Sequence, residues 1–135
     1  MIVREATAAD LDAVLALWES SRSAIAVTED RRETAEALCA DQSLLVAEAE
    51  GELVGALIAA WDGWRGNMYR LAVAPAQRRR GIATALVAAG QERLRIRGAT
   101  RVTALVGRED EVAKALWESA GYDEDGQIAR FVRNL

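Results

Sequence analysis

The apolar positions change period several times along the chain, and each change predicts an element. Ile2 to Thr7 reads as a first strand. Thr7 with Asp10 three residues on has the spacing of a capping box, and Leu11, Val14, Leu15 and Trp18 then fall on one helical face. A second helix is expected after Thr28, whose hydroxyl can cap it ahead of Glu29 and Asp30. "SLLVAEAEGELVGALIAAW" predicts two strands joined as a hairpin around Glu50, Gly51 and Glu52. "DGWRG" reads as a loop, and "NMYRLAVAP" as another strand, ended by Pro75.

From Gly81 the period lengthens. Ile82, Leu86, Ala89 and Leu94 suit a long helix, stopped by Gly98 where a C-terminal glycine is favoured. "RVTALVG" is short, β-branched and apolar on both faces, which predicts an interior strand. Glu109, Asp110 and Glu111 favour a further helix start, with Val112, Leu116 and Trp117 on its buried side and Gly121 at its end. The tail "IARFVRNL" alternates as a final strand would. Strands and helices mixed in this order, with no repeat or linker, predict one α/β domain over residues 1–135 with a mixed sheet.

Composition narrows the chemistry. With 51% hydrophobic and 28% charged residues, the 135-residue chain has the balance of an ordinary globule. "MIVREATAAD" lacks the basic stretch and apolar core of a signal peptide, and no apolar run is long enough to span a bilayer, so a cytoplasmic protein with no membrane partner is expected. Cys39 is the single cysteine, which excludes an internal disulfide; as an acyl carrier it would lack a base, and a buried helix cysteine is the expected reading. There is no histidine, so the usual neutral-pH base and metal ligand is missing, and no metal is expected.

Against a net charge of -4, three consecutive arginines stand out in "APAQRRRGIATALVAAG". Their context is strand, Pro75, basic loop, Gly81, helix. A helix start aims unpaired N–H groups and a positive dipole end at one point, for which phosphate is the natural guest. Gly81 would let the backbone approach a ligand, Ala83 keeps the next contact small, and Arg78, Arg79 and Arg80 add planar donor forks. The chain has no G-x-x-x-x-G-K-[ST] and no G-x-G-x-x-G after its first strand, which speaks against nucleoside triphosphate and dinucleotide sites.

Arg78-Arg79-Arg80-Gly81-Ile82-Ala83 fits R/Q-x-x-G-x-G/A, the pyrophosphate signature of the GNAT N-acetyltransferases, and this is the family the chain resembles. "LAVAPAQRRRGIATALV" looks like that family's acetyl-CoA motif, and "VAKALWESAGY" resembles its downstream A-x-x-L-Y-x-x-x-G-[FY] helix. The loop Trp61-Asp62-Gly63-Trp64-Arg65-Gly66 is similar to the "YDGHRG" loop of a small bacterial branch. The resemblance implies a mostly antiparallel sheet with a splayed parallel strand pair and flanking helices. It also implies that the backbone of Leu71, Ala72 and Val73 pairs with the pantetheine arm, and that the loop from Arg78 to Thr84 takes the pyrophosphate. Acetyl transfer would be a direct attack by an amine in a ternary complex, with oxyanion stabilisation from backbone N–H such as that of Val73.

The catalytic groups depart from the family pattern. Trp117 stands where a tyrosine often protonates the leaving thiolate, Asp110 where an asparagine usually opens the helix, and Leu105 where some relatives carry a glutamate base. An indole has no acidic proton to give. Cofactor contacts at Asp110 and Trp117 are carried over, while the catalytic roles stay open: Tyr122 or water as proton donor, Asp62 or Glu19 as base. Each carboxylate also has a structural reading, an Asx-turn for Asp62 and an exposed helix face for Glu19. Trp18, Trp61 and Trp64, beside Glu19 and Asp62, would suit a cationic amine acceptor, although Trp18 equally reads as core.

Three functions of different class are consistent with these residues. The first is an acetyl-CoA-dependent N-acetyltransferase acting on a small amine or a protein N-terminus. A non-catalytic acyl-CoA-binding module is the second. A nucleic-acid binder ranks last, because one basic cluster in an acidic chain lacks the broad positive face such proteins need. A homodimer is compatible with the family.

Overall fold

The computed structural model describes residues 1–21 and 28–135. The chain divides into two compact units, Met1–Leu105 and Val106–Leu135.

In the first unit the order is β1 (Ile2–Glu5), α1 (Leu11–Ser20), α2 (Arg32–Ala40), β2 (Leu44–Ala49), β3 (Glu52–Trp61), β4 (Gly66–Val73), α3 (Ile82–Arg97) and β5 (Val102–Ala104). The strands form one sheet in the order β1-β2-β3-β4-β5, antiparallel as far as β4 and parallel between β4 and β5. This is the mixed, mostly antiparallel sheet with flanking helices that the sequence predicts. The β2–β3 hairpin turns on Glu50 and Gly51, at φ 53° and 78°, the two positive angles that a type I′ turn requires.

Leu11, Val14 and Trp18 are buried as their spacing predicts, in a cluster with Leu44, Val46, Ala56, Ile58 and Ala72. Thr7 and Asp10 do form the capping box, across a 3-10 turn (Ala8–Asp10) that leads into α1. Two glycines on β3 and β4 and one on α3 let the helix lie close to the sheet. A Cβ at Gly55 would come within 2.9 Å of Leu86 and Ile82, and one at Gly66 within 2.9 Å of Leu94. From the helix side, a Cβ at Gly90 would meet Leu57 at 2.8 Å.

Four expectations are corrected. Thr28 does not cap the second helix: Arg31, in extended backbone, occupies the N-cap position and α2 begins at Arg32, while the Asp30 carboxylate pairs with Arg70. "RVTALVG" supplies a three-residue edge strand and not an interior one; Thr103 and Leu105 are exposed. In the second unit, α4 (Glu111–Ser119) buries Trp117, but Val112 is 84% exposed and does not belong to its inner side. The tail forms no strand: Ile128, Phe131 and Val132 are exposed, since alternation names two faces but supplies no edge to pair with.

Candidate functional site

The site is built where β4 leaves its neighbour. The parallel ladder with β5 covers only Gly66, Asn67 and Met68, so the later residues of β4 have no β5 partner along that edge. Ala74 donates its N–H to the Val54 carbonyl at 2.9 Å. Antiparallel ladders alternate, so Val73, paired with Gly55, turns its own N–H and C=O away from β3 and toward the splayed side. This is the strand splay that the resemblance implies, with Leu71 and Val73 half-buried and Ala72 buried among core side chains.

Beyond β4 the chain makes a 3-10 turn (Pro75–Gln77) and reaches Gly81, the N-cap residue of α3, at φ 77°. A Cβ there would meet nothing within 4 Å, so the glycine serves its left-handed conformation and leaves open space before the helix. Ala85 is the first residue whose N–H returns to a helical carbonyl, that of Gly81 at 3.0 Å. The N–H groups of Ile82, Ala83 and Thr84 precede that bond, and no side chain caps them. Arg78, Arg79 and Arg80 are exposed around this opening; Arg80 donates to Gln77 Oε1 at 3.2 Å, and Arg79 is itself left-handed at φ 64°. Uncapped donors and a dipole end, preceded in the chain by three exposed arginines, fit a phosphate-bearing group.

Trp61, Asp62 and Trp64 fall elsewhere. Trp61 lies 3.6 Å from the Cβ position of Gly98, at the C-terminal end of α3, and α3 spans 16 residues, about 24 Å. Asp62 follows directly, its Oδ1 accepting the N–H groups of Trp64 at 2.8 Å and Arg65 at 2.7 Å. Those two bonds, that of Arg65 first, hold its carboxyl below the usual range, and the loop is an Asx-turn. Trp64 is 71% exposed under the Arg65 guanidinium, 4.1 Å from its ring centre. Trp18 is core, 2% exposed, and its indole N–H finds no acceptor among the described residues; Glu19 beside it is exposed. The Cys39 thiol is half-buried and donates to the Ala6 carbonyl.

In the second unit Asp110 caps α4, its Oδ1 accepting the Ala113 N–H at 3.0 Å. Trp117 meets Tyr122 edge to face at 5.1 Å between ring centres, and burial pushes the Tyr122 phenol up, so it keeps its proton at neutral pH.

Sequence reading did not single out Arg70. Its Nε donates to Asp30 Oδ1 at 3.1 Å and its Nη2 pairs with Oδ2. The available signal was a charge inside an otherwise apolar strand. Among the described residues no cluster of three or more His, Cys, Asp or Glu side chains is placed to hold a metal, and no helix is long and apolar enough to cross a membrane.

Residues 11–122 match the model of the acetyltransferase (GNAT) family. The chain is 33% identical over 115 residues to an acetyltransferase of Pectobacterium atrosepticum, covering 84% of this chain and 82% of the relative. Ribosomal-protein-alanine N-acetyltransferase from Brucella melitensis superposes with a TM-score of 0.79 at 27% identity, over 93% of this chain and 86% of that one. The aminoglycoside acetyltransferase AAC(6′)-Iy, solved with a CoA bisubstrate analogue, has the same fold at a TM-score of 0.81 and 17% identity, over 99% and 98% of the two chains. A family match across most of the chain, on a sheet that splays before an uncapped glycine-led helix, leaves one assignment: the chain belongs to the acetyltransferase (GNAT) family and is an N-acetyltransferase.

Proposed function

We propose that the chain transfers the acetyl group of acetyl-CoA to a primary amine, on a small molecule or a protein N-terminus, by direct attack in a ternary complex. Acetyl-CoA is the donor. The observation that carries the reading is the continuity of one free backbone edge with one helix start: Val73 turns its polar groups to the splayed side, and the chain then runs directly to the open donors after Gly81.

In this reading the N–H groups of Ile82, Ala83 and Thr84, with Arg78, Arg79 and Arg80, take the pyrophosphate. The backbone of Leu71, Ala72 and Val73 takes the pantetheine arm, and the Val73 N–H faces the oxygen that gains charge as the amine attacks. Holding an amine against an activated thioester supplies much of the rate, which suits a chain without the usual tyrosine at position 117. The family's solved members differ in acceptor, alanine of a ribosomal protein in one and an aminoglycoside in another, so the amine class is as far as the fold reaches.

The test is calorimetric titration with acetyl-CoA, with ATP and a short DNA duplex as controls, on the wild type and Gly81→Glu. The wild type should bind acetyl-CoA alone. The variant should keep its circular dichroism spectrum and lose that binding, because a carboxylate would stand among the phosphate donors; unchanged affinity would sink the assignment.

A further inference from the structure

β4 departs from regular pairing at one place. Ala56 pairs with Ala72 and Ile58 with Tyr69, so Leu57 faces two residues, Arg70 and Leu71. Arg70 has φ 51°. This is the bulge type whose first residue is ordinarily a left-handed glycine, and a side chain there crowds its own carbonyl. A non-glycine residue there carries a strain of about 1–2 kcal/mol, which fixed partners can offset.

Partners from α1 and from the segment before α2 hold Arg70 here. Besides its two-pronged bond to Asp30, Arg70 donates from Nη2 to the Trp18 carbonyl at 3.4 Å, and its guanidinium lies 5.5 Å from the Trp18 ring centre. Trp18 sits in the last turn of α1 and is 2% exposed, while Asp30 stands two residues before α2. The paired side chains are themselves only 22% and 16% exposed, so the pair is shielded from water and its fork geometry fixes direction. The residue immediately after this anchor begins the free edge, Leu71 to Val73.

We propose that Arg70 is a positioning residue for the donor: anchored by Asp30 and the Trp18 carbonyl, it holds the bulge left-handed and so aims the backbone of Leu71 to Val73 at the pantetheine arm. This rests on the reading of that edge as the arm's site. Arg70 need not touch the reacting atoms.

The experiment measures calorimetric affinities for CoA and for 3′-phosphoadenosine 5′-diphosphate, which keeps the phosphates and lacks the arm. The chains are the wild type, Arg70→Ala, Arg70→Gly and Asp30→Asn, each checked for a native circular dichroism spectrum. Arg70→Ala should weaken CoA about tenfold, the scale of a left-handed penalty, and leave the arm-less nucleotide within about twofold. Asp30→Asn, which removes the anchoring charge with little change in shape, should shift CoA affinity in the same direction. Arg70→Gly should bind CoA within about threefold of wild type, since glycine adopts the bulge without an anchor.

Wild-type affinity for CoA in Arg70→Ala and Asp30→Asn overturns the inference, as does equal loss of both ligands, or a glycine variant as weak as the alanine one. A wild type that binds CoA no better than the arm-less nucleotide overturns the arm site itself, and the inference with it. Strong discrimination in the wild type that survives in Arg70→Ala overturns the inference alone.

Discussion

Asp10 is held ionised by several bonds at once. Arg4 reaches it with two nitrogens, Nη1 to Oδ2 at 2.7 Å and Nη2 to Oδ1 at 3.0 Å, and the Thr7 N–H donates to Oδ2 at 2.7 Å. These bonds, that of Arg4 first, bring its carboxyl from 3.8 down to about 2. A carboxylate depressed in the folded state contributes stability that is complete above the unfolded value and is lost as pH falls toward the folded one. The contribution is about 1–2 kcal/mol, because Arg4 is 35% exposed and solvent screens the pair. Urea unfolding at pH 7 should therefore find Asp10→Asn less stable by about that amount. The gap should close between pH 4 and pH 2, and a constant gap would refute the linkage. The Thr7–Asp10 half of this site was legible because its partners lie three residues apart, whereas Glu48, which completes the Arg4 network at 3.1 Å, lies 44 residues away and left no local trace. Gly81 was legible for the same reason as Thr7, since glycine signals its own φ; Arg70 and Arg79 adopt left-handed angles that no arginine advertises.

At the scale of elements, the distance between α3 and the sheet places the helix start, and glycines on β3 and β4 set that distance. Gly55 lies under the first turn, where a Cβ would stand 2.8 Å from Leu86, 2.9 Å from Ile82 and 3.3 Å from the Ala72 carbonyl. Two of these neighbours are side-chain methyls of α3 and one is β4 backbone, so relief shifts the first turns of α3 and the adjoining strand together. Gly66 lies under the far end of α3, where Leu94 alone must yield. Gly55→Ala should lower stability by about 1–3 kcal/mol and also weaken CoA binding. Gly66→Ala should cost less and leave CoA affinity unchanged, and paired melting and titration experiments separate the two; equal CoA affinity in both variants would mean that the helix start tolerates the shift. Helix α3 was legible end to end because glycines at 81 and 98 both take positive φ and punctuate it. By contrast β5 and the tail were misjudged, because the number of paired residues depends on what lies alongside, and hydrophobic alternation carries no information about that.

For the whole molecule the electrostatics oppose each other by range. The chain carries a net charge of -4, which repels a polyanionic donor at a distance, while Arg78, Arg79 and Arg80 attract it on arrival. The acidic balance argued against nucleic acid, and the order of strand, basic loop, glycine and helix identified the family, because both are properties of composition and sequence order. The splay of β4 from β5 was reached only through the family resemblance, and the anchoring of the bulge was not legible, since each joins residues distant in the chain. Raising salt from about 10 mM to about 1 M shortens the screening length from about 30 Å to about 3 Å, and this distinguishes the two fields. Wild-type affinity for CoA should fall over that range, because the arginine contacts are exposed and lose more than the distant repulsion returns. Replacing all three arginines by alanine takes the net charge from -4 to -7 and leaves only the repulsion. Binding by that variant should be weaker at every salt concentration and should strengthen, not weaken, as salt is added. A titration series in which both proteins respond to salt with the same sign would show that the three arginines are not where the donor's phosphates bind.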